Sequence, residues 1–366
     1  MKTRSCIVSA MLVTVAALCC QTSVSGAQQA DPAASQTRSE ASVNRKALLH
    51  AAAFGKLAEV QALLKQGTNP NARAKDQVGR TALILASAGG HVDIVNALLA
   101  SGAKVDDKDR TGHTALNWAA MRGRIPVVEA LLSKGADINT QDNGDVSPLL
   151  YAVGTHNTAL VGLLATKGAD LEVETRENKM TPVLLAIEHG DIESLNMLLE
   201  KGANVNGKNR DALSPLMAAA EKGHTEIVRI LLSRDAEVNV QDNKRMSPLM
   251  YAAENGHSDT MLLLLASDAD ANARDSSART VVMRAAMRGH ADVIRALHAN
   301  GADVNSVDAQ GRTALMLAIA ADKQHAVAAL LESDADSKVK DQDGITALMM
   351  AERLGRVEAV ELLKNQ

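Results

Sequence analysis

The chain has 366 residues, a formal net charge of −4 and four aromatic rings in all: Phe54, Trp118, Tyr151 and Tyr251. So few rings cannot fill a conventional globular core of this size. With 39 basic against 43 acidic residues there is no basic excess of the kind a nucleic-acid footprint needs.

From the N-terminus, Lys2 and Arg4 precede an uncharged run, CIVSAMLVTVAAL, and small residues follow at Ser25 and Ala27. This is the layout of a signal peptide over residues 1–27, removed on export. The run is shorter than the roughly 20 residues a membrane span needs, so no stable span is expected after cleavage. Cys19 and Cys20 follow Leu18, whereas a lipidated cysteine follows small residues. All three cysteines, Cys6 included, lie in this leader, so the mature chain has no disulfide and no thiolate metal ligand. That usage fits a bacterial periplasmic protein, stabilised by packing alone. Residues 28–45, QQADPAASQTRSEASVNR, are polar and aperiodic and predict a disordered leader.

From residue 46 onward one phrase recurs. SKGADINTQDNGDVSPLLYA at 133 returns as SRDAEVNVQDNKRMSPLMYA at 233, and ten copies begin at Lys46, Thr81, Thr114, Ser147, Thr181, Ser214, Ser247, Thr280, Thr313 and Thr346. A fixed period of about 33 residues marks a stacked array. Ser or Thr at the first position can cap a helix. Pro148, Pro182, Pro215 and Pro248 come next, where a missing N–H costs nothing. The sixth position is Ala in every copy, from Ala51 to Ala351, which implies close approach between helices. Gly such as Gly90 or Gly223 then breaks the helix. A second helix follows with an apolar stripe such as Ile94, Val95, Leu98 and Leu99. It ends at Gly102 and its equivalents, or at Asp235, Asp268 and Asp334, which tolerate positive φ. Each unit is helix, turn, helix and hairpin loop, and only stacking buries its apolar face.

SPLLYA, SPLMAA, SPLMYA and RTALILA, with the loops GADIN, GANVN and GADVN, resemble the ankyrin repeat over residues 46–366. The resemblance implies an all-α solenoid of about ten helix-turn-helix units joined by hairpin loops. With layers about 10 Å apart, such an array is on the order of 90 Å long. Met217, Met250, Met283, Met316 and Met349 stand where the family often has His, so the turns should lean on apolar packing.

Candidate chemistry is sparse. His91, His224, His257 and His290 follow the mid-repeat Gly at one repeat position and read as structural. Asp107, Asp109 and Gly112 match part of a calcium loop, but Trp118 occupies the place of the bidentate Glu. No phosphate loop and no nucleophile elbow occurs, so neither an enzyme, a metal nor a cofactor is expected. Trp118, Tyr151 and Tyr251 share the fifth position, read as packing on the second helix, with ligand contact as the alternative. An inserted residue, with Glu172, Thr175 and His156 in place of the usual Asn, Asp and Gly, marks the fourth-to-fifth junction as the weakest joint.

The resemblance implies recognition of a protein partner by a concave face and the hairpin tips. The corresponding residues are Arg110, His113, Met121 and Arg122 in the third copy, then Met180, Glu188 and His189 in the fifth. Arg210, Glu221 and Lys222 follow in the sixth, Lys244, Met246, Glu254 and Asn255 in the seventh, and Arg279, Met287 and Arg288 in the eighth. The expectation is a monomeric, non-enzymatic scaffold: a periplasmic adaptor, inhibitor or protector of one protein. The alternative is a secreted effector that binds a host or competitor protein.

Overall fold

The structure, a computed structural model, describes residues 32–365, with side chains from residue 40 onward. The apolar run and cleavage site read as a signal peptide lie outside the described residues. The chain divides into two units, Met1–Val43 and Asn44–Gln366. The described part of the first is helical, which corrects the expectation of disorder over residues 32–45, while 28–31 lie outside the described residues: one helix runs Pro32–Ala53. It contains no Gly and no Pro beyond its first residue, and its Ala, Gln, Arg and Glu residues favour helix over coil. The first copy therefore starts inside a continuous helix, with no cap at Lys46.

Among the described residues there are twenty α-helices and no β-strand. In nine copies, from Thr81 to Thr346, the first-position hydroxyl accepts a hydrogen bond from the backbone N–H three residues on. Such caps contribute about 1 kcal/mol each. From the second copy on, the first helix of each copy packs against the first helix of the next, and each second helix packs on the first helix of its own copy. All ten sixth-position alanines are fully buried between them. The Met substitution behaves as expected: Met217, Met250 and Met283 are completely buried, while Met349, in the last copy, is 50 % exposed. No described helix is long and apolar enough to cross a membrane.

The turn between the two helices needs positive φ. His156 and Asp322 adopt it in the two copies without Gly there. Gly223 shows a second reason for Gly: a Cβ there would come within 2.5 Å of the His257 ring, which lies against it from the next copy. His91, His257 and His290 each donate from Nε2 to a carbonyl of the preceding copy, at Ala53, Glu221 and Glu254 (3.2, 3.0 and 3.0 Å). These rings stitch layers together, in line with a structural role.

Two ladders join the copies at their loops. On one edge, Asn71, Asn139, Asn206, Asn239, Asn272 and Asn305 each accept the backbone N–H of the following copy at 2.7–2.8 Å. Glu172 holds this place in the fourth copy and accepts from Asn204 at 2.8 Å, so the rung survives the substitution. At the loop tips, Arg110, Asn143, Arg176, Ser276, Ala309 and Gln342 each donate a backbone N–H to the preceding loop. No such bond forms from Arg210 or Asn243. The first missing rung is the one that would join the loop at 209–213 to the fourth-to-fifth loop at 175–180, which on its other side still has Arg176 N–H reaching Gly144 O at 2.9 Å. The inserted residue widens the loop at 175–180 and puts it out of step with the next tip.

Candidate functional site

Each loop is built around a residue whose side chain accepts the loop's own N–H groups. Asp142 Oδ1 accepts from Gly144 and Val146 (2.7 and 3.0 Å), and Asp242 and Asp308 do the same in their loops. The second oxygen faces the first helix. There Trp118 Nε1 donates to Asp109 Oδ2 at 3.0 Å, nine residues back, and Tyr251 Oη to Asp242 Oδ2 at 2.8 Å. Tyr151 binds Asp142, and Arg284 binds Asp275, in the same way. Leu317 has no polar tip, and Arg312 closes on Asp308 in its place (2.8 and 3.0 Å). In four copies the fifth position therefore clamps loop to helix, a role beyond the packing expected of its aromatic residues. Burial first, then the bond to Asp242, pushes the Tyr251 phenol pKa up; Tyr151 shifts the same way through Asp142. Burial alone would raise the Asp109 carboxyl, but hydrogen bonds from Thr111 and Trp118 outweigh it and hold its pKa below the ordinary value.

The face made by the first helices and loop tips carries most of the residues expected at the site. Arg110, Arg122, Glu188, Arg210, Glu221, Lys222, Lys244, Asn255 and Arg288 are exposed there. Met121, Met180, His189, Glu254, Arg279 and Met287 are half-buried. Two expectations fail. His113 is 8 % exposed, bonded to Thr111 Oγ1 (2.7 Å) and Tyr151 Oη (2.9 Å), and Met246 is 3 % exposed. Both hold the last loop position, whose side chain turns under the loop. The sequence signal was mixed: that place is Val146, Met180, Leu213 and Ile345 in four other copies but Arg80, Arg279 and Arg312 in three.

Several charges are already matched across copies. Lys222 meets Glu188 and Arg288 meets Glu254, each at 2.6 Å, and Arg210 meets Glu174 at 2.9 Å. Arg284, missed by the sequence reading, shares Glu254 at 3.3 Å. With Met287 and Arg288 these two line a hollow of about 260 Å³. Among the described residues no group of three His, Cys, Asp or Glu is placed to hold a metal ion.

A family model for ankyrin repeats, three copies long, matches residues 48–142, 141–209, 206–275 and 279–366. The chain belongs to the ankyrin-repeat family. Among curated proteins nothing matches it. Ankyrin repeats are a protein–protein interaction module, and ankyrin-repeat proteins are in general scaffolds without catalytic activity. In this ankyrin array the loop clamps hold exposed Arg and half-buried Met side chains on a firm frame, and those two residue types are enriched at protein interfaces.

Proposed function

We propose that the protein is an exported, monomeric ankyrin scaffold that binds one protein partner stoichiometrically in the bacterial periplasm, as an adaptor, inhibitor or protector. The observation that carries this reading is the face made by the first helices and loop tips, clamped at four of its loops. Four of the loops are closed by Asp side chains that are also bonded to a first helix, through Trp118, Tyr151, Tyr251 and Arg284, so binding there loses little conformational entropy. The leader, Lys2 and Arg4 followed by an apolar run and Ser25–Gly26–Ala27, supports export. The test is affinity capture with a C-terminally tagged full-length chain expressed in a Gram-negative host, after periplasmic and cytoplasmic fractions are separated. The expected result is a shortened chain in the periplasmic fraction that retains one protein in a fixed ratio. A full-length chain confined to the cytoplasm would sink the export claim, and a chain that retains nothing saturably would sink the scaffold claim.

A further inference from the structure

Across the second, third and fourth copies the face made by the first helices and loop tips carries a row of flat side chains, of which Trp118, Tyr151 and His113 are held at their polar ends by hydrogen bonds. The Arg80 guanidinium lies 5.5 Å from the centroid of the Trp118 ring. The His113 ring stands 5.4 Å from Trp118 on one side and 5.8 Å from Tyr151 on the other. Asp109 anchors Trp118, and Asp142 anchors Tyr151, so neither ring is free to rotate away. Trp118 and Tyr151 are only half-buried, which leaves ring surface to a ligand. One helical turn beyond Trp118, Met121 is half-buried and Arg122 is exposed. The Arg122 side chain has no ion pair and no hydrogen bond among the described residues.

The carboxylates of the neighbouring loops are engaged elsewhere. Asp76 accepts from Val78 and Gly79, Asp109 and Asp142 hold their loops and rings, and Asp145 is paired with Arg176 at 2.9 Å. In the middle copies the situation is reversed: Glu188–Lys222 and Glu174–Arg210 satisfy their charges internally.

We infer that the Arg80–Trp118–Tyr151 row, with Arg122, is the binding hot spot for an extended peptide segment that carries a carboxylate beside a large apolar side chain. The inference rests on the scaffold reading above and names where and what that scaffold grips. Trp, Tyr and Arg dominate interface energetics when they are well packed. Rings already fixed by their own loops lose little freedom on binding. A cation without an internal partner favours a carboxylate and disfavours a basic segment.

Trp118 is the only tryptophan in the chain, so its emission reports this row directly. The experiment selects a displayed random peptide library on the full chain, then titrates the recovered peptides while following Trp118 fluorescence. The expected peptides pair Asp or Glu with a neighbouring Phe, Leu or Trp, and they shift Trp118 emission saturably. Arg122→Glu, at an exposed site with no partner to lose, should weaken them about tenfold or more with an unchanged melting curve. Tyr151→Phe, which keeps the ring but frees it from Asp142, should weaken them less. Arg229→Glu, on a second helix, should leave them unaffected. Peptides without acidic residues, full binding by Arg122→Glu, or saturation without change in Trp118 emission each overturn the inference, while captured partner protein would keep the scaffold reading intact. A library that yields no binder overturns it too. So does a single-stranded oligonucleotide that shifts Trp118 emission where peptides do not.

Discussion

Single residues in this array are constrained most tightly at the fourth loop position, where the backbone enters the left-handed region. Gly79, Gly112, Gly311 and Gly344 accept this without strain, but Ala212 and Ala278 sit there with φ of 60° and 58°. A Cβ in this region costs about 1–2 kcal/mol, while Gly gives back roughly 0.5–1 kcal/mol in backbone entropy. Ala278→Gly should therefore raise stability by about 0.5–1 kcal/mol, read as a higher denaturation midpoint; a lower midpoint would show that the loop stores no such strain. Much at this scale was legible from sequence. The buried alanines, the capping Ser and Thr residues and the Asp235-type helix ends recur in phase, and each expresses a local rule about backbone or volume. What was not legible depends on side chains meeting across the loop. Trp118 and Asp109 are nine residues apart, a spacing that belongs to neither helix nor strand periodicity, so the clamp appears only once the loop is folded back. His113 and Met246 were misplaced for the same reason, because the direction of the last loop side chain is set by that fold.

At the scale of the repeat, neighbouring elements are joined by separable sets of bonds, and they do not fail together. The sequence reading placed the weak joint where Glu172, Thr175 and His156 depart from the repeat pattern. Glu172 keeps its rung, and His156 still reaches Asp191 at 3.0 Å across the copies. The inserted residue shows its effect on the far side of its own loop, where no tip bond from Arg210 reaches it. Amide exchange should accordingly be faster at Arg210 and Asn243 than at Arg110, Asn143, Arg176, Ser276, Ala309 and Gln342, whose N–H groups bond the preceding loop. Equal protection throughout would remove the idea that these bonds set local opening. The same stretch should respond to pH. Burial first, then the nearby His156, holds His189 below its ordinary value of 6.5; burial, then Lys222, does so for His224. Both rings take up protons less readily in the native array than in the unfolded chain. Their contribution is thus complete above the unfolded value and is lost as pH falls through it toward the lower native one. Asp191 works in a separate, more acidic window: burial raises its pKa, but bonds from Ser194 and His156 outweigh this and hold it below 3.8. A denaturant midpoint measured from about pH 7.5 down to about pH 5 should fall, and the double variant His189→Gln/His224→Gln should flatten that fall. Parallel curves for the two proteins would discard the histidine account.

The molecule as a whole has no central core; each copy is stabilised by the two it touches, so position along the array decides what a defect does. Ala219 and Ala351 are both completely buried at the same place in their repeats. Ala219 belongs to the sixth copy, whose first helix packs against both flanking copies, whereas the last copy packs on one side only. Leu at either position overpacks its layer at a cost of roughly 1–3 kcal/mol. In the centre that cost falls on two interfaces and uncouples the halves, close to the loop where the tip ladder is already interrupted. At the end it falls on one interface and only frays the last layer. Trp118, in the third copy, reports the N-terminal half alone, while far-ultraviolet circular dichroism sums all the helices. In the native chain the two transitions should lie close together, because coupling between neighbouring copies runs along the array. Ala219→Leu should pull them apart, the fluorescence transition separating from a broadened dichroism transition. Ala351→Leu should leave the fluorescence transition in place and lose only a small, early fraction of the dichroism. Coincident transitions in Ala219→Leu would mean that the ten copies fold as one cooperative block, and the nearest-neighbour description of this array would have to be abandoned.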